Sequence, residues 1–147
     1  MPIKTFRGLI ADSTQDTIVL HTNDGSTGYR IVKFQIMNPE AGASASELES
    51  TVKIYKTPQT TIDAQVDFSE NILLAAAQLG THASFGTYGQ STVIIFDQEI
   101  FNQDIYVTHK NLHGDVAACN YYIELEQIKL DLNENTVATL KDIRNLA

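Results

Sequence analysis

The feature that most narrows the fold of this chain is a recurrent pattern of short β-rich runs, each stopped by turn-forming residues. The fullest instance is 92–110, TVIIFDQEIFNQDIYVTHK. Val93, Ile94, Ile95 and Phe96 are apolar at consecutive positions, which predicts a strand covered on both faces. Phe101-Asn102-Gln103-Asp104 supplies turn residues, because Asn and Asp side chains bond their own backbone and tolerate unusual φ. Ile105, Tyr106 and Val107 resume a β-prone run, so the stretch reads as a central hairpin.

Similar runs fill the rest of the chain. Thr5 to Ile10 reads as a first, edge strand and Ser13 to Asp16 as a polar turn. Thr17 to Thr22 follows, with Asn23-Asp24-Gly25-Ser26 closing a hairpin into Gly28 to Met37. There Val32, Phe34 and Ile36 are expected on one face, with Arg30, Lys33 and Gln35 toward solvent or toward partners. Asn38-Pro39 stops that strand, since proline cannot donate to a ladder. The small, polar stretch 40–50 reads as a mobile surface loop. Thr51 to Lys56 and Thr61 to Phe68 both alternate as strands do. Ile72 to Leu79 is either a short helix capped by Ser69 and ended by Gly80, or a buried strand; its β-rich surroundings and short length favour the strand. The glycine-rich stretch 80–91 reads as a loop, and His113-Gly114-Asp115 as a turn.

Cys119 to Leu132 predicts a long last strand with one irregularity. Tyr121, Ile123 and Leu125 share a face, whereas Ile128, Leu130 and Leu132 occupy the other phase. A strand that keeps its apolar side inward must slip there, so a β-bulge or a change of sheet is expected near Gln127. A helix closes the chain over 134–145, with Asn133 as N-cap, Leu132 and Val137 as a hydrophobic staple, and a stripe of Val137, Leu140 and Ile143. About eight strands, one terminal helix and no βαβ rhythm predict an all-β fold. The expected architecture is a jelly-roll-like antiparallel β-sandwich with one short C-terminal helix, a single domain over 1–147.

Composition excludes several function classes. Hydrophobic residues make up 43% and charged residues 19% of the chain, a folded balance. A net charge of −8 with no basic run argues against a nucleic-acid partner or an anionic membrane. No apolar run approaches the roughly 20 residues that span a bilayer. Met1 to Arg7 has no signal-peptide apolar core, and the lone Cys119 permits no intrachain disulfide; both fit synthesis in a reducing cytosol.

Candidate chemistry is sparse. His109 and His113 are four apart, but a strand end and a glycine turn lie between them, which is poor metal-ligand spacing. His21 and His82 have no companion motif. Asp131-Leu132-Asn133-Glu134-Asn135 resembles the opening of a calcium loop, yet Thr136 stands where the sharp turn needs glycine; helix capping accounts for these residues better. Asp97 and Glu99 alternate on one strand and could pair across a sugar, as could Glu124 and Glu126, but a solvated strand face or a cation-stabilised contact explains both better. Phe85, Tyr88, Tyr121 and Tyr122 could stack on sugars, or serve as rim and core residues. No nucleophile elbow, P-loop or dinucleotide fingerprint is present. No catalytic, cofactor-binding or metal-ligating residue is therefore assigned, and no cofactor is expected.

Three segments together resemble a group of small virion proteins of marine tailed bacteriophages. They are the opening MPIKTFRGLIADSTQDTIVLHTNDGSTGYRIVKFQI, the segment FDQEIFNQDIYVTHK, and the closing NYYIELEQIKLDLNENTVATLKDIRNLA. The resemblance implies a non-enzymatic structural subunit of the particle, of capsid decoration or accessory type. It would be made in the host cytoplasm and located in the virion. Its expected partners are the major capsid protein or neighbouring subunits, in a homo-oligomer, with no nucleic acid and no membrane. A tail or fibre component, or a host-surface glycan-binding module, is the alternative. The resemblance carries over no site residues.

Overall fold

The structure, a computed structural model, describes residues 2–23, 25–39, 48–81, 91–112 and 118–131. Eight strands run through them: β1 (Ile3–Ile10), β2 (Thr14–Ile18), β3 (Thr27–Met37), β4 (Leu48–Tyr55), β5 (Leu73–Thr81), β6 (Ser91–Phe96), β7 (Ile105–Asn111) and β8 (Cys119–Lys129). They form a three-stranded sheet in the order β1-β8-β3 and a five-stranded sheet in the order β2-β7-β4-β5-β6, with every ladder antiparallel. The inward side chains of the two sheets meet in one hydrophobic cluster, a sandwich-like all-β arrangement. Ile10, Ile31, Phe34, Ile123 and Leu125 come from one sheet and Val52, Ile54, Ala75, Ala77 and Val107 from the other.

Alternation accounts for most of this. Along β8, Cys119, Tyr121, Ile123 and Leu125 are buried, while the residues between them are half-buried on the outer face. β4 is central in its sheet and buried on both faces from Ser50 onward, because the segment 56–72 crosses its outer side. That excursion is closed at its base by the Lys56 N–H donating to the Ile72 carbonyl at 2.9 Å. Ile72 to Leu79 resolves as a strand: β5 pairs with β4 on one side and β6 on the other.

Several expectations are corrected. β6 and β7 do not form a hairpin; β4 and β5 lie between them. The FNQD stretch is a clasp instead of a hairpin turn. Phe101 is buried and exchanges backbone hydrogen bonds with Tyr29 of the other sheet, at 2.7 and 3.0 Å. Asn102 Nδ2 donates to the Gly25 carbonyl at 3.1 Å. Likewise β2 and β3 belong to different sheets, so they do not form the expected hairpin; Gly25 adopts φ 66°, as its residue type allows. Residues 14–16, read as a turn, begin β2.

Thr61 to Phe68 alternates in burial but joins no ladder. Val93 and Ile95 are exposed, so β6 is not covered on both faces. The register slip falls in β3 and not near Gln127: pairing with β8 shifts between Ile31 and Lys33, which turns Val32 outward and lets both Ile31 and Phe34 face the core. β8 runs in continuous register and ends at Lys129, after which Leu130 is buried against Gly28. Residues 48–50, 80–81 and 91, read as loop, belong to β4, β5 and β6. The rest of the 40–50 and 80–91 loops, the predicted helix 134–145 and the His113–Asp115 turn lie outside the described residues.

Candidate interaction faces

The candidate polar residues have structural surroundings. His109 is fully buried on the inner face of β7, with its Nδ1 3.1 Å from the Ile10 carbonyl and its Nε2 without a partner. Burial lowers its pKa, against the opposing pull of backbone acceptors at Ala11 and Ile10 and the charge of Asp12. It sits in the core, and His113 and His82 lie outside the described residues. Among those residues no group of three His, Cys, Asp or Glu side chains gathers as a metal site would require.

Asp97 and Glu99 do not alternate on a strand; both follow β6 in the connection to β7. The Asp97 carboxylate accepts the Glu99 N–H at 2.7 Å, and Glu99 grips the buried Lys56 ammonium with both oxygens, at 2.9 and 3.0 Å. Asp104 accepts from the backbones of Leu20 and His21 at 2.9 and 3.0 Å and lies 2.7 Å from His21 Nδ1. Burial alone would raise the Asp104 pKa, but these bonds outweigh it and hold the carboxyl below its ordinary range. Glu126 pairs with Arg30 across the β8–β3 ladder. Burial pushes the Cys119 thiol up to about 11, which keeps it protonated and unreactive at neutral pH.

Sequence reasoning missed two buried lysines. Lys53 is only 2% exposed, and its ammonium donates to Asp63 at 2.8 Å and to the Gln65 carbonyl at 2.6 Å, beside the Tyr55 ring. Burial works against its charge, yet its hydrogen bonds to Asp63 and Tyr55 prevail and raise its pKa. Lysine in an alternating strand ordinarily signals a solvated face. Here the signal was the second alternating segment, 61–68, which supplies the cover.

Two outward faces stand out among the described residues. The first lies on the edge strand β6. Val93 and Ile95 are 55% and 50% exposed, and Phe68 of the 56–72 excursion is 67% exposed. Phe68 and Ile95 line an open groove of about 580 Å³ with Ala76, Glu70, Asp97 and the Lys56–Glu99 pair. Strand edges are commonly blunted by charge or proline; STVIIF carries neither. The second face lies on the outside of the three-stranded sheet, where Arg7, Leu9, Lys33, Gln35, Met37 and Tyr122 line a wider groove. Of the aromatic candidates, Tyr122 is there, whereas Tyr121 is buried and bonded to Asp16. Phe85 and Tyr88 lie outside the described residues. No protein-family model matches the chain, and a search of the curated proteins returns no match.

Proposed function

We propose that this chain is a non-enzymatic structural subunit of a tailed-phage virion, of the capsid decoration or accessory kind, which acts by burying surface against neighbouring subunits. The observation that carries this reading is the uncharged edge strand β6, with Val93 and Ile95 turned to solvent beside Phe68. Clustered exposed apolar side chains are costly in a monomer and are characteristic of protein contacts. STVIIF itself carries no charge, so a second subunit can pack against this strip without burying a charge of β6. The partners are the major capsid protein and further copies of this chain.

The strand wiring fits the same reading. A jelly roll is a long hairpin folded on itself, nesting β1 with β8, β2 with β7, β3 with β6 and β4 with β5. Three of those four ladders are present, and β6 has moved onto β5. We take the fold to be a jelly roll with that one strand displaced, a common virion building block. The polar candidates support a non-enzymatic role, because Asp97, Glu99, Asp104 and His109 serve turns, an ion pair and the core.

Mass spectrometry of gradient-purified particles tests the proposal. The protein is expected in fixed stoichiometry to the major shell protein; its absence from intact particles would overturn it.

A further inference from the structure

We infer that the outer face of the three-stranded sheet is a docking groove for an acidic, extended peptide segment of a partner protein. This does not rest on the β6 contact or on the virion assignment.

The groove encloses about 720 Å³ and is built from adjacent ranks of the sheet. Leu9, Asn120 and Met37 stand side by side in one rank, and Arg7, Tyr122 and Gln35 in the next. Lys33 begins the third rank, opposite Glu124. Strand alternation puts all of these outward, while Ile10, Tyr121, Ile36 and Ile123 face the core.

Charge identifies the ligand. The chain holds 18 acidic and 10 basic residues, yet this lining contains Arg7 and Lys33 and no carboxylate. Among the described residues neither cation has an ion-pair partner. The Lys33 ammonium lies over the Tyr122 ring, 5.6 Å from its centroid, and not on the Glu124 carboxylate it faces across the ladder. The other β6-side groove has the opposite character, with Glu70, Asp97 and Glu99 around Lys56.

The apolar end identifies the rest of it. Leu9 and Met37 are 59% and 70% exposed, one rank from Arg7. Leu9 and Met37 flank Asn120, so an apolar anchor meets an aliphatic side chain on one side and a flexible thioether on the other. Ranks on one face are about 7 Å apart, the spacing of residues i and i+2 in an extended chain. A peptide with Asp or Glu two positions from Leu, Ile or Met therefore meets both ends at once.

The test is selection of a seven-residue peptide display library against the full chain, with an array of acidic glycans in parallel. Recovered peptides are expected to place an acidic residue two positions from an aliphatic one. A synthetic copy of the most enriched peptide should bind about tenfold or more weakly to the Arg7→Gln/Lys33→Gln variant, and similarly to Leu9→Ser/Met37→Ser. All four side chains are exposed, and unchanged near-UV circular dichroism verifies that the variants fold. Peptides without acidic preference, binding that survives the charge substitutions, or Arg7-dependent retention of acidic glycans in place of peptides would each overturn the proposal.

Discussion

Tyr121 donates its phenolic hydrogen to Asp16 at 3.0 Å, tying the central strand of the three-stranded sheet to an edge strand of the five-stranded one. Gly8 makes this possible. It stands opposite Tyr121 in the β1–β8 register, and a Cβ there would lie 3.0 Å from the phenolic oxygen and 3.1 Å from the ring. Tyr121→Phe should lower the unfolding free energy by about 1 kcal/mol, the net value of one such bond at a half-buried acceptor. Gly8→Ala should cost about 1–2 kcal/mol by displacing the ring. The double variant should be less destabilised than the sum, because both changes break the same contact. Urea unfolding of the four proteins measures all three quantities.

His109 should set the acid limb of stability. Its folded pKa is depressed below the ordinary 6.5 by burial, so the unfolded chain binds the proton more readily. Its contribution is present above pH 6.5 and is lost as pH falls through the folded value. His109→Gln should flatten that slope between pH 6.5 and the carboxylate range, as read from unfolding midpoints across pH. On the alkaline side Tyr121 acts in the opposite sense. Burial, followed by its bond to Asp16 and that residue's charge, raises its pKa well above 10.0. That stability is present below pH 10.0 and is lost as pH rises toward the folded value, so Tyr121→Phe should shallow the alkaline slope.

The two partners of the Lys53–Asp63 pair should respond unequally. Lys53 is buried and the Asp63 side chain is 55% exposed, so solvent screens the pair from the carboxylate side. Asp63→Asn leaves an ammonium under cover with weakened compensation and should cost about 1 kcal/mol, the screened end of the range for breaking buried pairs. Lys53→Met keeps the aliphatic stem and returns Asp63 to water, so it should be nearly neutral. Thermal unfolding of both variants at low and at high salt decides this. Equal losses from the two would mean that the pair acts as a surface contact.

Strand positions were largely legible because a half-buried strand must alternate: β3, β5 and β8 overlap their predicted spans closely, and β4 starts at Leu48, inside the stretch read as a loop. Pairing was not legible. Consecutive β6 and β7 look like a hairpin in sequence, and nothing local records that β4 and β5 intervene. The apolar phase change after Leu125 marks no slip in β8, because strand end and bulge leave the same trace in sequence. The end came at Lys129 and the bulge at Val32 of the partner strand. Of the two outward faces, the aromatic at Tyr122 was named from sequence. Its companions Arg7 and Lys33 are 26 positions apart and meet only through β8. Val93 and Ile95 were taken for core residues, since a consecutive apolar run does not state which side of a sheet lacks a covering layer.

The most direct test of the central claim is incorporation into particles during infection, for the native chain and for Val93→Thr/Ile95→Thr. Both side chains are at least half exposed, so the substitutions should leave folding and intracellular amount unchanged. Quantitative mass spectrometry of purified particles should find the native chain in fixed ratio to the shell protein and the variant reduced about tenfold or more, as expected when a contact loses two central apolar side chains. Equal incorporation of the two, or no native chain in the particles, would contradict the account.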